Sequence, residues 1–212
     1  MNRRTLLTFL ALALFPAAAY AAKAVPMALT PQDQADLSRI EAYLDSLKNL
    51  KARFLQVAPD GTVSEGNAYL SRPGRMRFEY DKPSPFLLVA GFGSAVFYDK
   101  QLNQTTSVPL GTTPLGIVLA DHVRLSGDIT VTGIQRDPGQ IQITTTRTNS
   151  PEDGSLTLVF ADKPLALRQW AVLDAQRQET RVSLFSIELG GDFPASMFQF
   201  EDPRLRQRDK NN

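Results

Sequence analysis

The stretch Arg75-Met76-Arg77-Phe78-Glu79-Tyr80 sets a charged side chain and a large apolar one at alternate positions. In an extended chain, successive side chains point to opposite faces. This segment therefore reads as a strand with one wet face and one buried face. Short runs of the same kind fill most of the sequence after Lys51. They are punctuated by turn signals at Asp60-Gly61, Pro73-Gly74, Lys82-Pro83, Gly91 to Gly93, Pro138-Gly139 and Asp153-Gly154. The pattern predicts strands near 52–58, 64–71, 75–80, 86–90, 94–99, 104–108, 129–136, 140–147, 155–160, 166–173 and 178–189. Near Leu184-Phe185 the apolar phase changes face, from Val182 and Leu184 to Phe185, Ile187 and Leu189, which predicts a bulge or bend. Strands joined by tight turns make an antiparallel meander, and a sheet of about eleven strands must curl.

Two helices interrupt the strand pattern. Thr30 caps the first, Pro31 fits its first turn and Asp33 sits where a carboxylate helps a helix N-terminus. Leu37, Ile40, Leu44 and Leu47 recur at spacings of three and four, with Leu50 extending the stripe; Asp36, Arg39, Glu41, Asp45 and Lys48 lie off it. This predicts one amphipathic helix over 31–50. Thr113-Pro114 opens a short and very apolar helix, Leu115 to Leu119, over 114–121.

The chain starts with a segment that reads as a cleavable export signal. Arg3-Arg4 are its positive end, Leu6 to Phe15 its apolar stretch, and Ala19-Tyr20-Ala21 its cleavage site. Arg3-Arg4 also permit the twin-arginine export route. Residues 1–21 are expected to be removed, leaving 22–212 as one exported, soluble domain that ends in a charged tail over 203–212. The whole chain carries a net charge of +1, which offers no electrostatic case for nucleic acid. There is no Cys and a single His, so disulfides, thiolate sites and histidine metal clusters are excluded. His122, Ser126 and Asp128, with Asp121 nearby, form the one set with a hydrolase-like composition, but no Gly-x-Ser-x-Gly elbow accompanies them. Tyr43, Tyr69, Tyr80 and Tyr98 fit a core or an interface at strand period better than a stacking platform.

What stands out is apolar supply. Phe54, Leu70, Met76, Phe78, Tyr80, Leu87, Val89, Val96, Leu156, Leu158, Trp170 and Val172 are the candidates for the inward face of the curled sheet. Two readings stand. Either the apolar helices simply fill that interior, or they form a lid over a lipid-accepting cavity.

The run Gly66-Asn67-Ala68-Tyr69-Leu70-Ser71-Arg72-Pro73-Gly74-Arg75-Met76-Arg77-Phe78-Glu79-Tyr80, followed by Pro83, resembles the LolA family of periplasmic outer-membrane lipoprotein carriers. So do Phe54-Leu55-Gln56, Phe97-Tyr98-Asp99, Gln104, Thr113-Pro114-Leu115, and Phe198-Gln199-Phe200 with Pro203, in order over 40–203. The resemblance implies a mainly β (α+β) fold, an unclosed antiparallel β-barrel with the N-terminal helix and the short inserted helix as lid. It implies a non-enzymatic monomer without cofactor or metal. The acyl chains of triacylated lipoproteins would lie in a cavity lined by the inward candidates above. Cargo would come from an inner-membrane ABC-type release complex and pass to an outer-membrane acceptor lipoprotein. Arg72 occupies the position of the arginine that bonds to the closed lid and helps release cargo. Leu44 and Leu47 on the first helix, and Leu115 and Val118 on the short one, form the lid's apolar face. Met76 stands where the family has an aromatic residue proposed to touch the release complex. A related barrel for another lipid, and a hydrolase built on Ser126 and His122, are the alternatives.

Overall fold

The computed structural model describes residues 23–203. The expected export signal and the tail beyond Pro203 lie outside the described residues. Helix α1 spans Pro31–Ser46. Its start is the expected one, with reciprocal capping: Asp33 N donates to Thr30 Oγ1 at 3.2 Å, and Thr30 N donates to Asp33 Oδ2 at 2.8 Å. Its end is earlier than the stripe suggests. Leu47 is already extended, and Leu50 belongs to the first strand, where it pairs with both Leu70 and Leu189. Two ladders of backbone hydrogen bonds outweigh one more turn of helix there.

Eleven strands follow: β1 (Asn49–Val57), β2 (Val63–Ser71), β3 (Arg75–Tyr80), β4 (Phe86–Gly91), β5 (Ser94–Asp99), β6 (Gln104–Pro109), β7 (Ile129–Asp137), β8 (Gln140–Arg147), β9 (Gly154–Ala161), β10 (Ala166–Asp174) and β11 (Glu179–Leu189). All are antiparallel in one sheet, in the order β6-β5-β4-β3-β2-β1-β11-β10-β9-β8-β7. Among the described residues, only the β1–β11 pairing joins strands distant in the chain. The expected bulge is present. Lys51 pairs with Glu188 but Arg53 with Phe185, and Ser186 between them has a positive φ of 50°.

The sheet is unclosed between β6 and β7, which are consecutive in sequence. The chain between these two free edges carries a 3-10 turn at Leu110–Thr112 and then α2 (Leu115–Val118). Thr113 does not cap α2; its hydroxyl donates back to Leu110 O at 2.9 Å, because the preceding 3-10 turn brings that carbonyl within reach. At the other end of the chain, a 3-10 turn at Ala195–Phe198 lies on the outer face of β3–β5. Arg77 donates to Met197 O at 3.1 Å, and the Tyr98 and Phe200 rings meet at a tilt with centroids 5.4 Å apart. Gly91 permits this approach, since a Cβ there would sit 2.3 Å from Phe198 O.

Candidate functional site

The inner face of the sheet and the two helices make one apolar cluster. From the sheet come Phe54, Leu70, Met76, Phe78, Tyr80, Leu156, Leu158 and Trp170; from α1 come Leu37, Ile40 and Leu44, with Leu47 just past its end; from the segment around α2 come Ile117, Val118 and Leu119. Leu115 and Val172 pack at its margin. Phe54, Ile40, Leu44, Leu156 and Leu158 are 0% exposed, so no water-sized gap lies beside them. In this structure the space enclosed by the sheet is occupied by side chains of α1 and the α2 segment. Tyr80 is the polar exception: its hydroxyl donates to Gln56 Oε1 at 2.8 Å, and burial pushes its pKa up to about 12.

Three of the residues expected on the inward face lie on the other side. Leu87, Val89 and Val96 are outward. Leu87 pairs with Glu79, Val89 with Arg77, and Val96 with Val89, so all three share the face that carries those charges. Leu87 borders a cleft with Tyr98 and Phe200. The inward residues of β4 are Phe86, Leu88 and Ala90. Phe86-Leu87-Leu88-Val89-Ala90 is apolar at every position, because the C-terminal strap covers the outer face too, and such a run has no readable phase.

Arg72 sits at the turn between β2 and β3, and its side chain is 1% exposed. Its Nη1 donates to Leu44 O and, at 3.4 Å, to Leu47 O, both carbonyls at the end of α1. Its Nε and Nη2 donate to Ala120 O at 3.1 and 2.5 Å, and Nη2 reaches Asp121 O at 3.4 Å. The backbone of the same turn adds Arg72 N to Lys48 O and Gly74 N to Leu119 O, both 2.8 Å. A helix C-terminus leaves carbonyls unpaired and partly negative. The last turn of α1 has no basic residue of its own, and Arg72 supplies the cation from across the fold. Burial lowers the pKa of this guanidinium and Asp45 opposes that fall, 3.7 Å away.

Carboxylates on α1 then tie the loop after α2 to the helix. Asp45 Oδ1 accepts from Val123 N at 2.8 Å and Glu41 Oε1 from Leu125 N at 2.6 Å. Arg124 donates to Asp45 Oδ2 at 3.2 Å, and His122 Nδ1 lies 3.5 Å from the same oxygen. The Val123 amide foremost holds the Asp45 carboxyl below the usual carboxylate range. The structure thus sets His122 beside Asp45; no hydrogen bond joins it to Ser126 or Asp128 among the described residues. Among them, too, no group of three or more His, Asp or Glu is placed to hold a metal, and no helix is long and apolar enough to cross a membrane.

The other half of α1 rests on ion pairs. Arg136 of β7 donates to Asp33 at 2.7 Å and to Asp36 at 2.9 and 2.7 Å; Arg39 donates to Asp162 at 2.6 Å. Hydrogen bonds from Thr30, then Arg136, lower the Asp33 pKa to about 2. The sequence sets Asp36, Arg39, Glu41 and Asp45 off the apolar stripe of the helix. Their opposite charges at i, i+3 spacing were visible, but Arg136 lies 100 residues from Asp36 and no local pattern points to it.

Comparison with known proteins places this arrangement. The family model described as outer membrane lipoprotein carrier protein LolA matches residues 45–201. The chain belongs to the LolA family. Among LolA-family relatives, an outer-membrane lipoprotein carrier protein of Methylococcus capsulatus is 30% identical over 183 residues, 82% of this chain and 85% of that one. One of Chromohalobacter salexigens is 30% identical over 185 residues, 82% of this chain and 87% of that one. One of Azotobacter vinelandii is 26% identical over 193 residues, 85% and 91% of the two chains. The LolA match takes in the last two residues of α1, all eleven strands and α2, and so includes Arg72 and every strand that lines the interior.

Proposed function

We propose that this LolA-family chain is a periplasmic carrier of lipoproteins. Residues 1–21 direct export, and 22–212 form one carrier domain. The domain accepts the acyl chains of triacylated lipoproteins from an inner-membrane ABC-type release complex. It then yields them to an outer-membrane acceptor. No catalysis or cofactor takes part.

The observation that carries this reading is Arg72. One buried guanidinium fastens the ends of both helical elements, over a mainly apolar interior. Each CH₂ left in water costs about 0.8 kcal/mol, so a triacyl anchor needs cover while it crosses an aqueous gap. The interior provides that cover once α1 and α2 withdraw their own side chains from it. A planar fork suits the fastening, because it binds several carbonyls at once and lets them go together. Closed and cargo-bound states then differ by few bonds, and a carrier that must release its cargo needs that balance.

The test is a release assay. The purified protein is added to spheroplasts making a triacylated lipoprotein, and the soluble fraction is checked for a one-to-one complex. Capture supports the carrier reading; a folded protein that captures none defeats it. Native mass spectrometry of the recovered complex identifies the ligand, and a glycolipid or free fatty acid in place of lipoprotein would overturn the cargo assignment.

A further inference from the structure

A second arginine lies under the lid, at the end of α2 opposite Arg72. Arg147 closes β8 and continues the inward row of that strand, Ile141, Ile143 and Thr145, each 0–2% exposed. Its cross-strand partner is Ile129, which packs against the apolar cluster. The interior therefore ends on this side in a cation.

That cation is poorly served. A guanidinium has five N–H donors. Here Nη2 reaches Thr113 O at 3.4 Å, and Nε is buried without a partner among the described residues. No carboxylate stands within ion-pair distance of it among the described residues, although Asp128 and Arg124 border the same 480 Å³ cleft. The lid backbone lies directly over the group: a Cβ added to Gly116 would come 3.5 Å from Nη2 and 2.6 Å from Leu110 O. A buried donor without a partner is unfavourable, and more so on a charged group. It is relieved when the segment at Thr113–Gly116 moves away and something polar takes its place.

We infer that Arg147 is a cargo-binding residue, whose Nε and Nη2 donate to the ester and amide carbonyl oxygens of a triacylated N-terminus after the α2 segment lifts. The inference rests on the carrier reading above and adds to it a polar anchor. The acyl chains run inward along Ile143 and Ile141, while the oxygens that link them to glycerol and to the N-terminal nitrogen stop at the rim. In the closed state Thr113 O stands in for one of those oxygens. Arg72 and Arg147 therefore act in opposite senses on one segment, the first holding it down and the second gaining partners when it rises.

The test uses the full chain, exported and purified, with two probes. One is a synthetic N-palmitoyl, S-dipalmitoylglyceryl cysteine peptide. The other is diphenylhexatriene, a hydrocarbon fluorophore without oxygen. Arg147→Met is expected to weaken the peptide about tenfold while diphenylhexatriene stays within about twofold of the unmodified chain. Arg147→Lys, which keeps the charge and loses the fork, is expected to fall between. Unchanged peptide affinity in Arg147→Met overturns the inference, and so does an equal loss of both probes, which would mark a structural role. If the unmodified chain binds diphenylhexatriene but not the peptide, the carrier reading itself fails. Failure of the inference and failure of the reading it rests on are thereby told apart.

Discussion

The two halves of α1 are both held by arginines, in different chemistry. Toward the N-terminus, Arg136 and Arg39 meet carboxylates: Asp33, Asp36 and Asp162. Toward the C-terminus, Arg72 meets four backbone carbonyls, and its nearest carboxylate oxygen is 3.7 Å away. A charge paired with a charge, and bonded on several sides, is costly to separate. A charge on carbonyls has ready substitutes in water or in other carbonyls. The first arrangement suits a fixed attachment and the second a latch, so α1 is expected to stay anchored near Asp33 and to loosen near Leu44.

The largest effect is expected at the latch. Arg72→Leu removes the cation and leaves buried carbonyls unpaired, a loss of about 3 kcal/mol in unfolding by urea. In the spheroplast assay this variant should still capture cargo and pass it on poorly, since nothing draws the lid back. Ready transfer by Arg72→Leu would remove the distinction between the two ends. Arg136→Met tests the other end. It should lower the thermal midpoint less than Arg72→Leu does, and leave the ratio of capture to transfer unchanged. A transfer defect there would mean that the whole helix moves.

A smaller effect is expected where the loop after α2 meets α1. Asp45→Asn weakens the bonds to Val123 and Arg124, at a cost of about 1 kcal/mol. Hydrogen exchange of the Val123 and Leu125 amides should quicken with little change elsewhere. If these amides stay protected, Asp45 is not what couples the loop to α1. The smallest effect lies in pH. The Asp33 pKa is depressed in the folded chain, from 3.8 to about 2. Its contribution to stability is therefore fully present above 3.8 and is lost as pH falls through about 2. Arg136 stays charged throughout this range. Amides in the first turns of α1 should lose protection over that window before those near Leu44; the reverse order would contradict the anchor.

Most of the fold was legible in the residues, and for local reasons. Arg75 to Tyr80 alternates, and the strand matches it residue for residue. Turn residues mark nearly every strand end within one or two positions. Thr30, Pro31 and Asp33 announce the start of α1 and form the cap they suggest. The resemblance to LolA carriers named Arg72, and the structure places it where several carbonyls converge. Legibility failed where a residue's environment comes from far along the chain. Leu87, Val89 and Val96 look like inward residues until the strap around Phe198 is seen to cover the outer face of β4 and its neighbours. Leu50 continues a helical stripe, yet its place is decided by Leu70 and Leu189.

The period of each element, its approximate ends and the total apolar surface to be hidden were readable from the residues alone, because these depend on residues within a few positions of one another. Which carboxylate meets which arginine, and which side of a wholly apolar strand looks inward, was settled by the folded chain. It alone showed that Arg72 and Arg147 flank one short segment. A charge or an apolar face is completed by whatever the fold brings to it, and that partner leaves no trace in the neighbouring sequence.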